Sequence, residues 1–349
     1  MRKFDYSFLK RISVPADIMN SATSIYEMKA KAELRRSDFA EVFSAMESVA
    51  KIQSVKSSNA IEGIITTDKR IRDIVNKSTA PQEHNELAIA GYRDALDLIH
   101  GSYSEIPFSE KSILELHRIL LQPSGDDLAG RYKTEDNFIM ETDREGVRSV
   151  RFTPVPASET AFAMEQLILA YHAAYSDAEI NPLMLIPCVI LDLLCIHPFR
   201  DGNGRMSRLL SLLLMYKSGF NAGKYVSIEE QINTYKNYYY TSLQKSSERW
   251  HENDNNYFPF IENFLFNLKM SYFELDSRFA SLKDRKITKK QRIEELVTGS
   301  LLPVSKREIC EKLPDISVTT VEAELARLIK SGEIEKIGNG RGTVYRSCR

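Results

Sequence analysis

His197-Pro198-Phe199-Arg200-Asp201-Gly202-Asn203-Gly204-Arg205-Met206-Ser207-Arg208 is a polar dozen set between two apolar runs, Leu183 to Ile196 and Leu209 to Met215. Both runs are too long and too continuously apolar for ordinary strands, which predicts two buried helices joined by a loop. Gly202, Asn203 and Gly204 then bare backbone N–H groups at the start of the second helix, where unpaired donors and the helix dipole favour an anion. Arg205 and Arg208, three apart, fall on one helical face and can reach the same phosphate chain. His197 supplies a base that works near neutral pH. Asp201 adds one carboxylate, suited to a Mg²⁺ that takes its other ligands from phosphates and water. The set points to phosphate chemistry; the plain alternative is a helix-capping histidine and surface arginines around a tight turn.

The segment resembles the central motif of the Fic family, His-Pro-Phe-x-Asp/Glu-Gly-Asn-Gly-Arg-x-x-Arg, and all nine specified positions are matched. Nine letters in twelve positions are far more specific than a lone glycine-rich loop. The resemblance implies a mainly α fold, a Fic helical core with a small β-hairpin flap. It also implies a nucleotidyltransferase, a protein adenylyltransferase that moves AMP from ATP to a Tyr, Thr or Ser hydroxyl of a target protein. In that reading His197 is the catalytic base and Asp201 the Mg²⁺ ligand. Gly202, Asn203, Gly204, Arg205 and Arg208 bind the nucleotide's phosphates. Two competing readings stay open. One keeps the site but changes the donor, to UTP, a phosphocholine donor or whole-phosphate transfer. The other is a nucleotide-sensing DNA-binding regulator, against which the intact His197 and Asp201 count.

Upstream, Ser21 to Lys56 has apolar residues at three-to-four spacing and neither glycine nor proline, which predicts one long helix. It runs into Ser57-Ser58-Asn59-Ala60-Ile61-Glu62-Gly63. Ser58 and Glu62, four apart, share a helical face, and Gly63 sits where a C-terminal cap would. By itself this is a plain helix end. Beside the motif above it is similar to the Fic family's inhibitory motif, Ser/Thr-x-x-x-Glu-Gly/Asn, so the resemblance implies that Glu62 pairs with Arg208 and blocks the γ-phosphate position. The same glutamate would position a water for the reverse reaction, removal of AMP.

Glu83 to His100 and Ser109 to Leu121 are two further amphipathic helices, the second opened by Ser109 and Ser112. His117 lies among apolar neighbours and reads as a satisfied core histidine. Asn137-Phe138-Ile139-Met140, the charged turn Asp143 to Gly146 and the alternating Val147 to Phe152 predict a β-hairpin. In a Fic-like chain this is the flap that registers a target segment by edge-strand pairing, which puts Asn137, Phe138, Ile139 and Met140 beside the nucleotide. Thr160 to Tyr175 is another helix. Ile228 to Ser247 is rich in tyrosine, and Tyr239 is the candidate to stack on the nucleobase.

A chain of 349 residues with a formal charge of −1 has room for two or three domains and is not coated in nucleic acid. The four cysteines lack metal spacing and fit reduced thiols; no signal peptide or membrane span is expected, and the protein is read as cytoplasmic. Lys283 to Lys290 reads as a basic linker. Beyond it, helices at Ile293–Val297, Ser305–Leu313 and Ser317–Lys330 precede two short strands, the order of a winged helix. Residues 283–349 carry a net +5 by sequence, leaving −6 for the rest. That charge suits DNA, but the third helix carries Glu322 and Glu324 and no early arginine for a base edge, so DNA binding and protein docking stay open. Three regions follow: 1–108 helical with the inhibitory helix, 109–282 the Fic core and closing helices, and 283–349 the winged-helix-like unit. The apolar faces of the N-terminal helices would serve a homodimer as readily as a core.

Overall fold

The structure, a computed structural model, describes residues 2–38, 40–142, 146–280, 288–300 and 302–348. The two apolar runs are helices, α7 (Pro182–Ile196) and α8 (Asn203–Lys217), and everything else is arranged around them. Asn181 caps α7, its Oδ1 accepting from Leu183 N at 2.9 Å, and Pro182 takes the first helical position, where no amide donor is needed. Every residue of α7 from Leu183 to Ile196 is buried, so this helix forms the centre of the molecule.

Before it come α1 (Ala16–Asp38), α2 (Ala40–Ile61), α3 (Asp68–Val75), α4 (His84–Ser102), α5 (Glu110–Leu121) and α6 (Ala157–Tyr175). After it come α8, α9 (Ile228–Thr234), α10 (Lys236–Ser247) and α11 (Phe258–Ala280). The helix expected over 21–56 is described on both sides of residue 39, which lies outside the described residues: α1 lies along α11, and α2 packs against α4 and α9. The Tyr-rich segment divides at Tyr235. One continuous core runs from Tyr6 to Phe279.

A buried carboxylate pins the outer side of α7. Asp192 is wholly buried and accepts from Tyr6 Oη at 2.8 Å, Trp250 Nε1 at 2.7 Å and Arg2 Nη2 at 3.2 Å. The N-terminal segment and the loop before α11 are thereby fastened to the central helix through one buried network.

The flap is an antiparallel hairpin, β1 (Ile139–Thr142) and β2 (Arg148–Phe152), with Met140 opposite Val150. Residues 143–145 of the expected turn lie outside the described residues. The C-terminal unit has its own core of Ile293, Val297, Ile309, Leu325 and Leu328. It comprises α12 (Lys289–Thr298), α13 (Lys306–Lys312), α14 (Val318–Lys330) and a sheet of order β3-β5-β4, with β3 at Val304–Ser305, β4 at Ile334–Ile337 and β5 at Val344–Ser347. Residues 283–287 of the expected linker lie outside the described residues, and Lys289 and Lys290 already belong to α12, which Thr288 caps. Cys188 and Cys195 are buried in α7, and no described helix is long and apolar enough to cross a membrane.

Candidate active site

α7 ends at His197. His197 has φ +52, left-handed backbone that is uncommon outside glycine, and its N–H closes the helix on Leu193 O at 2.9 Å. Its Nδ1 lies 3.3 Å from Leu194 O. A carbonyl only accepts, so Nδ1 carries the proton and Nε2 keeps a free lone pair. Burial pulls the imidazole down to about 4, so it is neutral at physiological pH.

The loop braces itself. Asn203 Oδ1 accepts from Phe199 N at 3.0 Å and Asn203 Nδ2 donates to Phe199 O at 2.7 Å. Gly202 turns the chain at φ +81, and the first helical bond of α8 is Met206 N to Gly202 O at 2.8 Å. The N–H groups of Asn203, Gly204 and Arg205 therefore stand ahead of the helical ladder, the arrangement that binds anions. His117 is a satisfied core histidine: its ring stacks on Phe199 with centroids 3.7 Å apart, Nδ1 accepts from Gly130 N at 3.0 Å, and Nε2 lies 3.1 Å from Asp201 O.

Glu62 and Arg208, far apart in sequence, meet at 2.9 Å between Oε1 and Nη2. Arg208 is 3% exposed and also donates from Nε to Ser58 Oγ at 2.8 Å and from Nη2 to Ser58 O at 2.9 Å. Burial works against its charge, yet Glu62 and the surrounding phenolic groups leave its pKa above the ordinary arginine value. A Cβ at Gly204 would collide with Glu62 Oε1, so the carboxylate lies directly over the start of α8. Gly63, at φ +78, turns the chain out of α2, and Lys236 Nζ holds Ile61 O at 2.7 Å, tying that helix end to α10.

These groups border a cleft of about 400 Å³ that contains His197, Glu62, Gly204 and Arg208 on one side and Ile139, Met140, Arg151 and Phe152 of the flap on the other. Tyr239 lines it but is only 6% exposed, whereas Tyr240 beside it is half-buried and presents more of its ring. Of the four flap residues expected at the nucleotide, Ile139 and Met140 line the cleft. Phe138 is exposed, and the Asn137 amide is engaged with the loop. Asp201 and Arg205 border a neighbouring hollow of about 320 Å³ with Asp126, Asp127 and Arg200. Arg205 Nη2 donates to Asp201 Oδ2 at 2.8 Å, and its buried Nη1 has no hydrogen-bond partner among the described residues. Asp201 is about two-thirds exposed, and no group of three or more metal-binding side chains occurs among the described residues.

Sequence reasoning missed Arg151, Tyr240, Leu194 and Cys195 as cleft residues. Alternation along β2 placed Arg151 on one face of the hairpin, but nothing local said which face turns inward. Cys195 and Leu194 were legible only as core.

A model described as Fic/DOC family matches residues 107–215. "Protein adenylyltransferase fic-1" of Caenorhabditis elegans is 35% identical over 144 residues, 40% of this chain and 25% of that protein. "Protein adenylyltransferase Fic" of Nematostella vectensis is 31% identical over 181 residues, 49% of this chain and 39% of that protein. The chain thus spans between a quarter and two fifths of these relatives' length. Among solved structures, a Fic family protein from Desulfovibrio desulfuricans G20 superposes with a TM-score of 0.61, covering 96% of this chain and 97% of that one at 18% identity. Fic-1 (residues 134–508) from C. elegans gives a TM-score of 0.57 over 76% of this chain and 75% of that one, at 21% identity.

Proposed function

We propose that the protein, whose residues 107–215 match the Fic/DOC family model, is a protein adenylyltransferase, which moves AMP from ATP to a Tyr, Thr or Ser hydroxyl of another protein. The observation that carries this reading is one cleft holding an imidazole with a bare Nε2, a buried guanidinium and the amide-rich start of a helix. The names of the two relatives above support it.

In this mechanism Nε2 of His197 takes the proton of the acceptor hydroxyl as its oxygen attacks the α-phosphorus. The bond to the leaving pyrophosphate breaks, and AMP stays on the acceptor. The amides of Asn203 and Gly204, with Arg205, hold the phosphate chain in line, and Arg208 grips its end. Positioning and fixed charge carry most of the rate. Asp201, two-thirds exposed at the hollow beside the cleft, fits a metal that takes its other ligands from phosphates and water better than a protein-built cage. Mg²⁺ held there by Asp201 would neutralise charge on the phosphates.

Glu62 restrains the reaction in this reading, because its carboxylate both occupies Arg208 and repels the nucleotide tail. The same oxygen, in one cleft with His197, would orient water for AMP removal in this reading. Purified protein incubated with ATP and Mg²⁺ should gain the mass of one AMP on itself or on an acceptor. His197→Ala should abolish that gain while ATP binding by calorimetry persists. Transfer that survives in His197→Ala would mean that another base acts and would overturn the assignment.

For the C-terminal unit we propose a winged helix that docks protein rather than DNA. Arg292, Lys306, Arg327 and Arg346 are already paired within the unit, to Asp315, Glu322, Glu294 and Glu335. Such pairing reduces the free charge available for phosphates. A gel-shift titration with random duplex at low salt should give no complex at micromolar protein; a salt-sensitive complex would reverse this reading.

A further inference from the structure

Lys133 is a lysine in an unusual place. It is 4% exposed, and no carboxylate lies within ion-pair distance of it among the described residues. Burying an ammonium without a counter-ion is costly, and burial draws this one down to about 8. A methionine would fill the same space without that cost. What methionine lacks is a set of donors, and the donors of Lys133 are all aimed at one target. Nζ donates to Ile196 O at 3.3 Å and to Asn137 Oδ1 at 2.7 Å, and the backbone N–H donates to Pro198 O at 2.9 Å. Asn137 continues the line, its Nδ2 donating to Phe199 O at 3.1 Å.

The carbonyls at 196 and 198 flank His197, whose left-handed backbone must be held by its surroundings to persist. Ile196 O belongs to the last turn of α7, where helical geometry leaves carbonyls without a partner. We propose that Lys133 is a positioning residue for His197, clamping the peptide groups on either side of it from the base of the flap. This rests on the reading of His197 as the base of the transfer reaction. The clamp also links two parts of the machinery, because Lys133 and Asn137 lie immediately before β1: the flap and the histidine share one set of hydrogen bonds. The charges facing the imidazole are Lys133 itself, Arg151 from β2 and Glu62 at the end of α2. Lys133 and Arg151 oppose its protonation, Glu62 favours it, and burial outweighs all three.

The test uses the full chain and two variants. Lys133→Met keeps the stem and the backbone N–H but removes the ammonium; Lys133→Arg keeps charge and donors. In Lys133→Met, kcat should fall on the order of ten- to a hundredfold with KM for ATP nearly unchanged, as expected when a reacting group is displaced by a fraction of an ångström. Lys133→Arg should recover most of that loss. An independent readout is the ¹⁵N spectrum of histidine-labelled protein, with His197 assigned by its disappearance in His197→Ala. In Lys133→Met the His197 midpoint should rise toward that of an ordinary histidine and its Nδ1–H tautomer should become mixed. A His197 tautomer and midpoint identical to those of the parent would overturn the clamp. Should Lys133→Met not fold, Asn137→Ala removes one partner of Nζ, and an unchanged His197 spectrum there counts equally against it. The spectrum reads the clamp without any transfer reaction, so a parent protein that never transfers AMP would refute the proposed function alone.

Discussion

On the proposed reading, replacing Glu62 by glycine should raise AMP transfer, and the structure sets the scale. The carboxylate lies 2.9 Å from Arg208 and directly above Gly204, so a phosphate group entering that position would meet a negative charge at about van der Waals contact. Two unit charges about 4 Å apart at the effective dielectric near a protein surface interact by about 4 kcal/mol. The Glu62 side chain is 34% exposed, and solvent screening of a site that open reduces this to about 2–3 kcal/mol. At about 1.4 kcal/mol per decade that is a roughly 30- to 150-fold rise in kcat/KM for ATP. Glu62→Gln, which keeps the bulk and loses the charge, should fall between parent and Glu62→Gly. The assay is transfer of radioactive AMP with an intact-mass count of adducts, at equal concentrations of folded protein. Turnover in Glu62→Gly equal to or below that of the parent would refute the reasoning. A modest loss of thermal stability should accompany the gain, because Arg208 keeps its two bonds to Ser58 but loses its charged partner.

The remaining predictions concern the base, the clamp, the C-terminal unit and acid. His197→Ala should bind ATP without transferring from it, Lys133→Met should lose kcat and free the His197 tautomer, and the C-terminal unit should leave random duplex unshifted. Acid stability should be governed first by buried histidines. Burial pulls His117 and His197 down to about 4 and His100 to about 3, against an ordinary value of 6.5. The unfolded chain then binds more protons than the folded one below pH 6.5, so their contribution is complete above that pH and is lost as pH falls toward 4. Carboxylates such as Glu86, held near 2 by its hydrogen bonds to Arg70, give up their share only below about 4.5; Glu230, which burial raises to about 7, works the opposite way between pH 7 and 4.5, but it is one group against three histidines. The thermal midpoint should decline as pH falls from about 6.5 to about 4.5, and more shallowly in His117→Gln; a flat midpoint in the parent would contradict the assignment.

The legible part of this chain was the part coded by neighbours. Continuous apolarity announced α7 and α8, three-to-four spacing announced α4, α5 and α6, and alternation announced the hairpin. Ser109, Ser305 and Ser317 marked helix starts that the structure caps with those residues. The short α3 was not legible, because its 8 residues are too few for a spacing pattern to stand out. The same limit applied inside the site. Arg205 and Arg208 share a helical face by spacing, yet Arg208 is drawn to Ser58 and Glu62 while Arg205 turns to Asp201. Tyr239 and Tyr240 are indistinguishable as letters; which ring opens into the cleft depends on how α10 is rotated against α8.

By itself the sequence determined the reacting loop, since its base, carboxylate, glycines and arginines are consecutive and their chemistry is set by local geometry. Tertiary structure alone decided what that loop meets. Glu62 reaches Arg208 across the fold, Lys133 grips the carbonyls around His197, and Asp192 gathers Arg2, Tyr6 and Trp250. A lysine or arginine in the sequence looks the same whether it will be solvated or buried; only packing removes the water around Lys133 and Arg208 and leaves their charges to the few partners within reach.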